Sequence, residues 1–137
     1  MRSQVLAVAG MVVAAVLGGC ARDVTDPANV SVAGVYHLSR VNGATLPFLI
    51  QDDGTSRVDV TESVLTLNKD HTWSQATLYR LTAPGDISTD SQTSYGTYSA
   101  INGAVELTNA GGAAAHGAVA GTLLTLLDGG FSLVYRR

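Results

Sequence analysis

The feature that most constrains the fold is the alternation of side-chain character from Val32 to the C-terminus. Apolar and polar residues alternate with a period of two, β-branched and aromatic residues are present throughout, and turn-forming residues recur about every eight to twelve positions. The pairs Asn42-Gly43 and Asn102-Gly103 are strong signals for type I′ hairpin turns. The pattern therefore predicts an all-β domain of consecutive antiparallel hairpins, in which about eight strands close into a small up-and-down barrel.

Three stretches of this region depart from the simple alternation. Pro47 restricts the strand at 45–50 to a sheet edge or a bulge, because proline cannot donate a ladder hydrogen bond. The polar stretch 82–93, which contains Pro84-Gly85, is interpreted as the longest loop. Residues 109–121 contain six alanines and four glycines, and they are either a flexible loop or a small-residue strand at 113–119. We favour the strand, since its absence would leave an unpaired sheet edge.

The N-terminal twenty residues differ in character from the rest. Arg2 precedes an apolar run at 5–17, and small residues then lead to Cys20, the single cysteine of the chain. A cationic start, a short apolar core and a small-residue site predict a secretory signal peptide. Two alternatives stay open: an ordinary secretory signal that leaves Cys20 as a free thiol, and a retained transmembrane helix, which needs roughly 20 apolar residues.

The segment Leu17-Gly18-Gly19-Cys20 resembles the lipobox of bacterial lipoproteins. The resemblance implies cleavage after Gly19, lipid on the Cys20 thiol and on its new amino group, and a stable membrane anchor. The chain then divides into a signal peptide at 1–19, a lipidated cysteine and flexible tether at 20–31, and a barrel domain at 32–137. Alanine rather than aspartate follows the cysteine, which by the same resemblance implies the periplasmic face of the outer membrane in a Gram-negative host.

The barrel region resembles small bacterial lipocalin-like domains. The resemblance rests on Gly34-x-Tyr36-x-Leu38, on the segments 65–73 and 96–98, and on the closing segment 133–137. Lipocalins open with Gly-x-Trp, and an arginine of the last strand packs against that tryptophan. Here Tyr36 stands in its place, and Arg136 or Arg137 would supply the arginine. The domain is shorter than a full lipocalin and lacks an obvious C-terminal helix.

Charge and motif content exclude several classes of function. Loss of residues 1–19 leaves seven basic residues against eleven acidic ones, without the basic stripe that nucleic-acid binding requires. His37, His71 and His116 lie on separate elements without the spacing of metal ligands, and His71 is expected to hold a left-handed turn conformation. The adjacent carboxylates Asp52 and Asp53 are expected simply to face water. With no catalytic motif in the chain, we expect no enzyme, no cofactor and no metal site.

The strand at 72–81 breaks the expected pattern. Trp73 and Tyr79 share one face with Gln75 and Thr77, so inward aromatic rings bring an amide and a hydroxyl inward with them. Buried polar groups need a protein partner, a water molecule or a ligand. The alternative is a bulge that turns Gln75 outward, and the sequence alone favours this alternative.

Two functional hypotheses follow. The first is a monomeric, non-catalytic binding module of the cell envelope. It holds a small apolar or amphipathic ligand in a lumen lined by Tyr36, Trp73, Gln75, Thr77, Tyr79 and Tyr135. The second is a filled barrel whose loops bind an envelope protein, as an inhibitor or scaffold does, because side chains can just fill an eight-stranded interior. The inward chemistry of the strand at 72–81 discriminates between them.

Overall fold

A computed structural model describes residues 31–137 of the chain, so the predicted signal peptide and Cys20 lie outside the described residues. The described part is all-β and contains ten strands. In chain order they are β1 (Gly34–Val41), β2 (Ala44–Thr45), β3 (Phe48–Asp52), β4 (Arg57–Leu67), β5 (Thr72–Ala83), β6 (Asp86–Ile101), β7 (Ala104–Asn109), β8 (Ala114–Ala120), β9 (Leu123–Asp128) and β10 (Phe131–Arg136). None of the described residues forms a helix that is long and apolar enough to cross a membrane.

Eight of the strands close an antiparallel barrel, as the sequence predicts. From β4 to β10 each strand pairs with the next along the chain, and β1 closes the ring by pairing with both β10 and β4. The end of the barrel at which β1, β5 and β9 terminate is called the open end, and the opposite end is called the closed end. Closure pairs these eight strands with one another over most of their length.

The short strands β2 and β3 fill a seam in this barrel. β1 pairs with β4 only over Gly34–His37, at the closed end. Towards the open end the two strands separate, and β2 pairs with the end of β1 while β3 pairs with the start of β4. Pro47 lies between β2 and β3, outside either ladder, which agrees with its inability to donate a ladder hydrogen bond.

The predicted turns are observed with their expected backbone conformations. Asn42 and Gly43 have φ of 50° and 83°, and Asn102 and Gly103 have φ of 52° and 83°. Two consecutive positive φ values are the signature of the type I′ turn. His71 has φ of 66°, so it holds the left-handed conformation that its place in the turn predicts. The small-residue segment forms β8, which confirms the strand interpretation.

The interpretation of residues 82–93 as a loop is wrong. β5 continues to Ala83, β6 begins at Asp86, and only Pro84-Gly85 forms the turn between them. Residues 86–93 are all exposed, so no buried face imposes an apolar alternation on their sequence. Clusters of serine, threonine and aspartate are typical of loops, although threonine is also common in solvated strands.

The hydrophobic core fills the barrel towards its closed end. It contains the buried side chains Val32, Tyr36, Leu65, Leu67, Trp73, Tyr98, Val105, Leu107, Leu124, Leu126 and Tyr135. Leu124 and Leu126 face inward on β9, whereas Leu127 is 62% exposed. β9 therefore contributes alternate residues to the core, and the residues between them face away from it.

Candidate functional site

An unfilled cavity lies above this core, towards the open end of the barrel. Its volume is about 340 Å³. Most of its wall is apolar and comes from strands on both sides of the seam and from β10: Leu38, Val41, Phe48, Val60, Phe131 and Leu133. A largely apolar wall with a few polar groups is typical of small-molecule sites.

Four hydrogen-bonded polar side chains line the cavity at the level where the core ends. The Gln75 side-chain amide donates to the Tyr135 hydroxyl at 2.7 Å and to Ser63 Oγ at 3.1 Å. The hydroxyls of Ser63 and Thr77 lie 2.9 Å apart. We call these four residues the polar floor. Among the described residues no buried side-chain polar atom lacks a partner, so the floor is satisfied without a ligand.

Tyr135 joins the polar floor to the core. Its side chain is fully buried, and burial is the main cause of the raised pKa of its phenol. The negative charge of Asp128 raises this pKa further. The phenol therefore stays neutral at physiological pH and serves as a hydrogen-bonding group.

The favoured interpretation that a bulge turns Gln75 outward is wrong. A bulge exists, but it lies on the neighbouring strand β4, between Val60 and Glu62. β5 keeps a strict alternation, so Gln75, Thr77 and Tyr79 all reach the cavity. The extra residue on β4 absorbs the local change in twist, and β5 is left regular.

Of the six residues predicted to line a lumen, the structure brings four together around this cavity: Gln75, Thr77, Tyr79 and Tyr135. The prediction is wrong for Tyr36, which does not line this cavity. Its side chain is fully buried in the core, and its hydroxyl donates to the Val32 carbonyl at 2.6 Å. Trp73 also belongs to the core, and its indole N–H donates to the carbonyls of Thr97 and Thr108.

Trp73 does border a second, smaller cavity of about 100 Å³. Gln75, Ser94 and Asp128 line both cavities, so the two spaces lie side by side near the open end. The small alanines at the start of β8 leave this second space unfilled.

Several lining residues were missed by the sequence interpretation. Ser63 is 1% exposed and connects Gln75 with Thr77, but the β4 bulge hides its inward orientation from a simple count of alternate positions. Asp128 could have been found, because it continues the inward series Leu124 and Leu126 on β9. Gln92 falls within the predicted loop at 82–93 and Ser94 follows it directly, so the wrong interpretation of that segment leaves both out of the predicted lining.

Two aromatic rings stand beside each other in the cavity wall. Phe48 and Phe131 pack edge to face, with ring centroids 6.3 Å apart. Phe48 lies on β3, which pairs with β4, and Phe131 lies on β10, which pairs with β1, so the contact spans the seam between β1 and β4. Phe131 is 41% exposed, which places its ring at the mouth of the cavity.

Among the described residues, one charged side chain is buried on the outer side of the barrel wall. Asp59 is fully buried and accepts hydrogen bonds from Arg57 Nη2 at 2.7 Å and from Arg80 Nη2 at 3.2 Å. Hydrogen bonding from Arg57 is the largest cause of the lowered pKa of this carboxyl. Asp59 faces away from its cavity-lining neighbour Val60, so the cluster is separate from the cavity.

His37, His71 and His116 stay on separate elements. In the described part of the chain, no three or more His, Cys, Asp or Glu side chains form a group that could hold a metal ion. Asp53 caps its own loop, where its carboxylate accepts from the backbone N–H groups of Thr55 and Ser56.

Comparisons with known proteins give one limited similarity. No family model and no curated protein matches the chain. Among solved structures, the crystal structure of the Cpx pathway activator NlpE from Escherichia coli is similar, with 24% sequence identity and a TM-score of 0.40. The match covers 58% of this chain and 39% of that chain, so this chain spans well under half the length of that protein.

Proposed function

We propose that this protein is a lipid-anchored binding module of the cell envelope, which holds a small amphipathic molecule in the open end of its barrel. The observation that carries the proposal is the cavity of about 340 Å³ between the filled core and solvent. Its volume lies in the range of small-molecule pockets, and its apolar wall and polar floor offer both kinds of contact that an amphipathic ligand needs.

The cavity persists although larger side chains could fill it. In eight-stranded barrels side chains can just fill the interior, as they do here at the closed end. At the open end several inward positions carry smaller residues instead: Val60, Ser63, Thr77 and Ser94. Unfilled space in a core costs packing energy, which is consistent with a functional cavity.

Native mass spectrometry tests this proposal directly. The domain from residue 21 onward is exported to a periplasm and purified without detergent. We expect a reproducible bound mass, and we expect Leu38→Trp to abolish it because the indole occupies the cavity. Leu78→Trp is the matched control, since Leu78 lies between inward neighbours on β5 and does not line the cavity.

The outcome separates the two functional hypotheses. An unliganded mass for the wild-type domain, or a bound mass that survives Leu38→Trp, would contradict the proposal. An unliganded domain would instead favour the hypothesis of a loop-mediated protein partner.

The membrane anchor is a separate part of the proposal and rests on the sequence of residues 17–20. We expect the exported wild-type protein to partition into the detergent phase of a phase-separation assay and to carry acyl chains on Cys20. Cys20→Ala should remove both properties without changing the barrel. Recovery of the wild-type protein in the aqueous phase would contradict the anchor.

A further inference from the structure

The cavity carries a single formal charge. Asp128 lies at the end of β9, and among the residues of the described chain that line the cavity it alone is charged at neutral pH. It follows Leu124 and Leu126 on the inner face of that strand. The inward series therefore changes from apolar to anionic where the strand reaches the mouth.

The Asp128 carboxylate is available to a ligand. The ion pairs within residues 31–137 are Arg57–Asp59 and Arg80–Asp59, and His116 Nδ1 lies 3.3 Å from the Glu106 carboxylate; none of these contacts involves Asp128. None of the basic partners in these pairs lines the cavity. No neighbouring cation in the wall therefore neutralises the charge of Asp128.

The electrostatic effect of Asp128 extends to the polar floor. Burial is the main cause of the raised pKa of the Tyr135 phenol, and the charge of Asp128 adds a smaller contribution in the same direction. A negative charge that disfavours the tyrosinate also disfavours any other anion in the same space. Fatty-acid carboxylates and organic phosphates are therefore poorly matched to this cavity.

We propose that the cavity selects amphipathic molecules by charge, binding those with a cationic amine head group in preference to those with an anionic one, with Asp128 as the counter-ion. The inference deepens the proposed function and rests on it. The apolar tail lies along the wall, and the amine stays at the mouth beside Asp128. At the mouth the amine keeps part of its hydration, so the desolvation cost that weakens buried ion pairs is small.

Three probes of equal chain length test the inference: dodecylamine, dodecanol and dodecanoate. The affinity of each is measured by its displacement of an uncharged fluorescent reporter dye from the folded domain. The measurements are made at neutral pH, below the concentration at which micelles form. We expect dodecylamine to bind about tenfold more tightly than dodecanoate, since the exposed Asp128 carboxylate attracts the amine and repels the carboxylate. Dodecanol should fall between them.

Asp128→Asn tests the assignment to this residue. The variant should bring the amine and the carboxylate to within about twofold of each other, because it removes the charge and keeps the shape. Affinity for dodecanol should not change. Glu106→Gln is the matched control, since Glu106 lies on the outer face of β7 beside His116 and should leave the preference intact.

Each outcome has a distinct meaning. Failure of all three probes to bind would overturn the proposed function and this inference with it. Equal binding of the three, or tighter binding of dodecanoate, would overturn only the selection by charge. A preference for the amine that survives Asp128→Asn would overturn the role of Asp128.

Discussion

Arg137, the last residue of the chain, holds the closed end of the barrel together. Its guanidinium carbon lies 5.5 Å from the centroid of the Tyr36 ring. The same group donates to the carbonyls of Ser31 and Ala33 at 3.3 Å and of Gly121 at 3.1 Å. The resemblance to lipocalins implies such an arginine at position 136 or 137, and in the structure it is Arg137 that packs on Tyr36. Arg136 is excluded because it follows the inward Tyr135 and so faces outward.

Replacement of Arg137 should therefore destabilise the barrel. We expect Arg137→Met to lower the free energy of unfolding by about 1–2 kcal/mol, from the lost cation–π contact and the lost carbonyl hydrogen bonds. Arg136→Met removes the same charge from the neighbouring position and should have little effect. Urea denaturation measures both variants, and equal destabilisation by the two would contradict the role of Arg137.

The buried Asp59 predicts a pH dependence of stability. Its pKa is lowered, chiefly by hydrogen bonding from Arg57, so the ionised carboxylate stabilises the folded state. This contribution is complete above the unfolded-state pKa of about 3.9, and it is lost as the pH falls through the lower folded-state pKa. We expect Asp59→Asn to have a lower urea midpoint than the wild type at neutral pH, with the difference narrowing in acid. If the difference in urea midpoint between the variant and the wild type stayed constant from neutral to acid pH, the role of the ionised Asp59 would be contradicted.

At the scale of elements, hairpins with one buried face could be predicted from the sequence, whereas the exposed hairpin could not. The Asn-Gly turns and the core strands show the alternation that burial imposes. The β5–β6 hairpin extends past β7, which pairs with β6 only from Gly96 to Ile101. Beyond that point residues 86–93 of β6 are all exposed and mostly polar, and their sequence resembles that of a loop.

The same extension leaves a long free edge. On the side away from β5, residues 86–95 of β6 have no partner strand among the described residues. Free edges promote pairing between molecules, and charged side chains oppose it. Asp86 and Asp90 are the charged residues of this segment.

Removal of these charges should promote association. We expect the double variant Asp86→Thr, Asp90→Thr to form dimers and larger species at concentrations where the wild type is monomeric, because threonine favours strands and carries no charge. Sedimentation velocity measures the distribution of species. The control variant Glu62→Thr, Glu106→Thr removes two charges from strands that are paired within the barrel, and it should stay monomeric. Association of both double variants would indicate an effect of net charge instead.

At the scale of the whole molecule, the barrel has a filled half and an open half. Side-chain parity along a strand predicts which residues face inward, but it does not predict their height along the barrel axis. Height depends on the stagger between strands, which is set by closure of the whole sheet. Tyr36 and Tyr135 are both inward by parity. Only Tyr135 reaches the cavity, whereas Tyr36 lies in the core near the closed end.

Tyr135 connects the two halves, since its ring packs in the core and its hydroxyl belongs to the polar floor. Burial raises the pKa of its phenol, so the folded state holds this proton more tightly than the unfolded state does. The resulting stability is complete below the unfolded-state pKa of about 10 and is lost as the pH rises through the folded-state pKa. The wild-type barrel should therefore lose stability in alkali.

The variant Tyr135→Phe isolates this contribution. At neutral pH we expect it to cost about 1 kcal/mol, because Gln75 loses one acceptor but keeps Ser63. Above about pH 10 the variant should lose stability less steeply than the wild type, because the phenylalanine carries no proton to lose. Urea midpoints across this range test the expectation, with Tyr95→Phe on the outer face as the matched control. If both variants change the alkaline slope equally, the polar floor is not the origin of the effect.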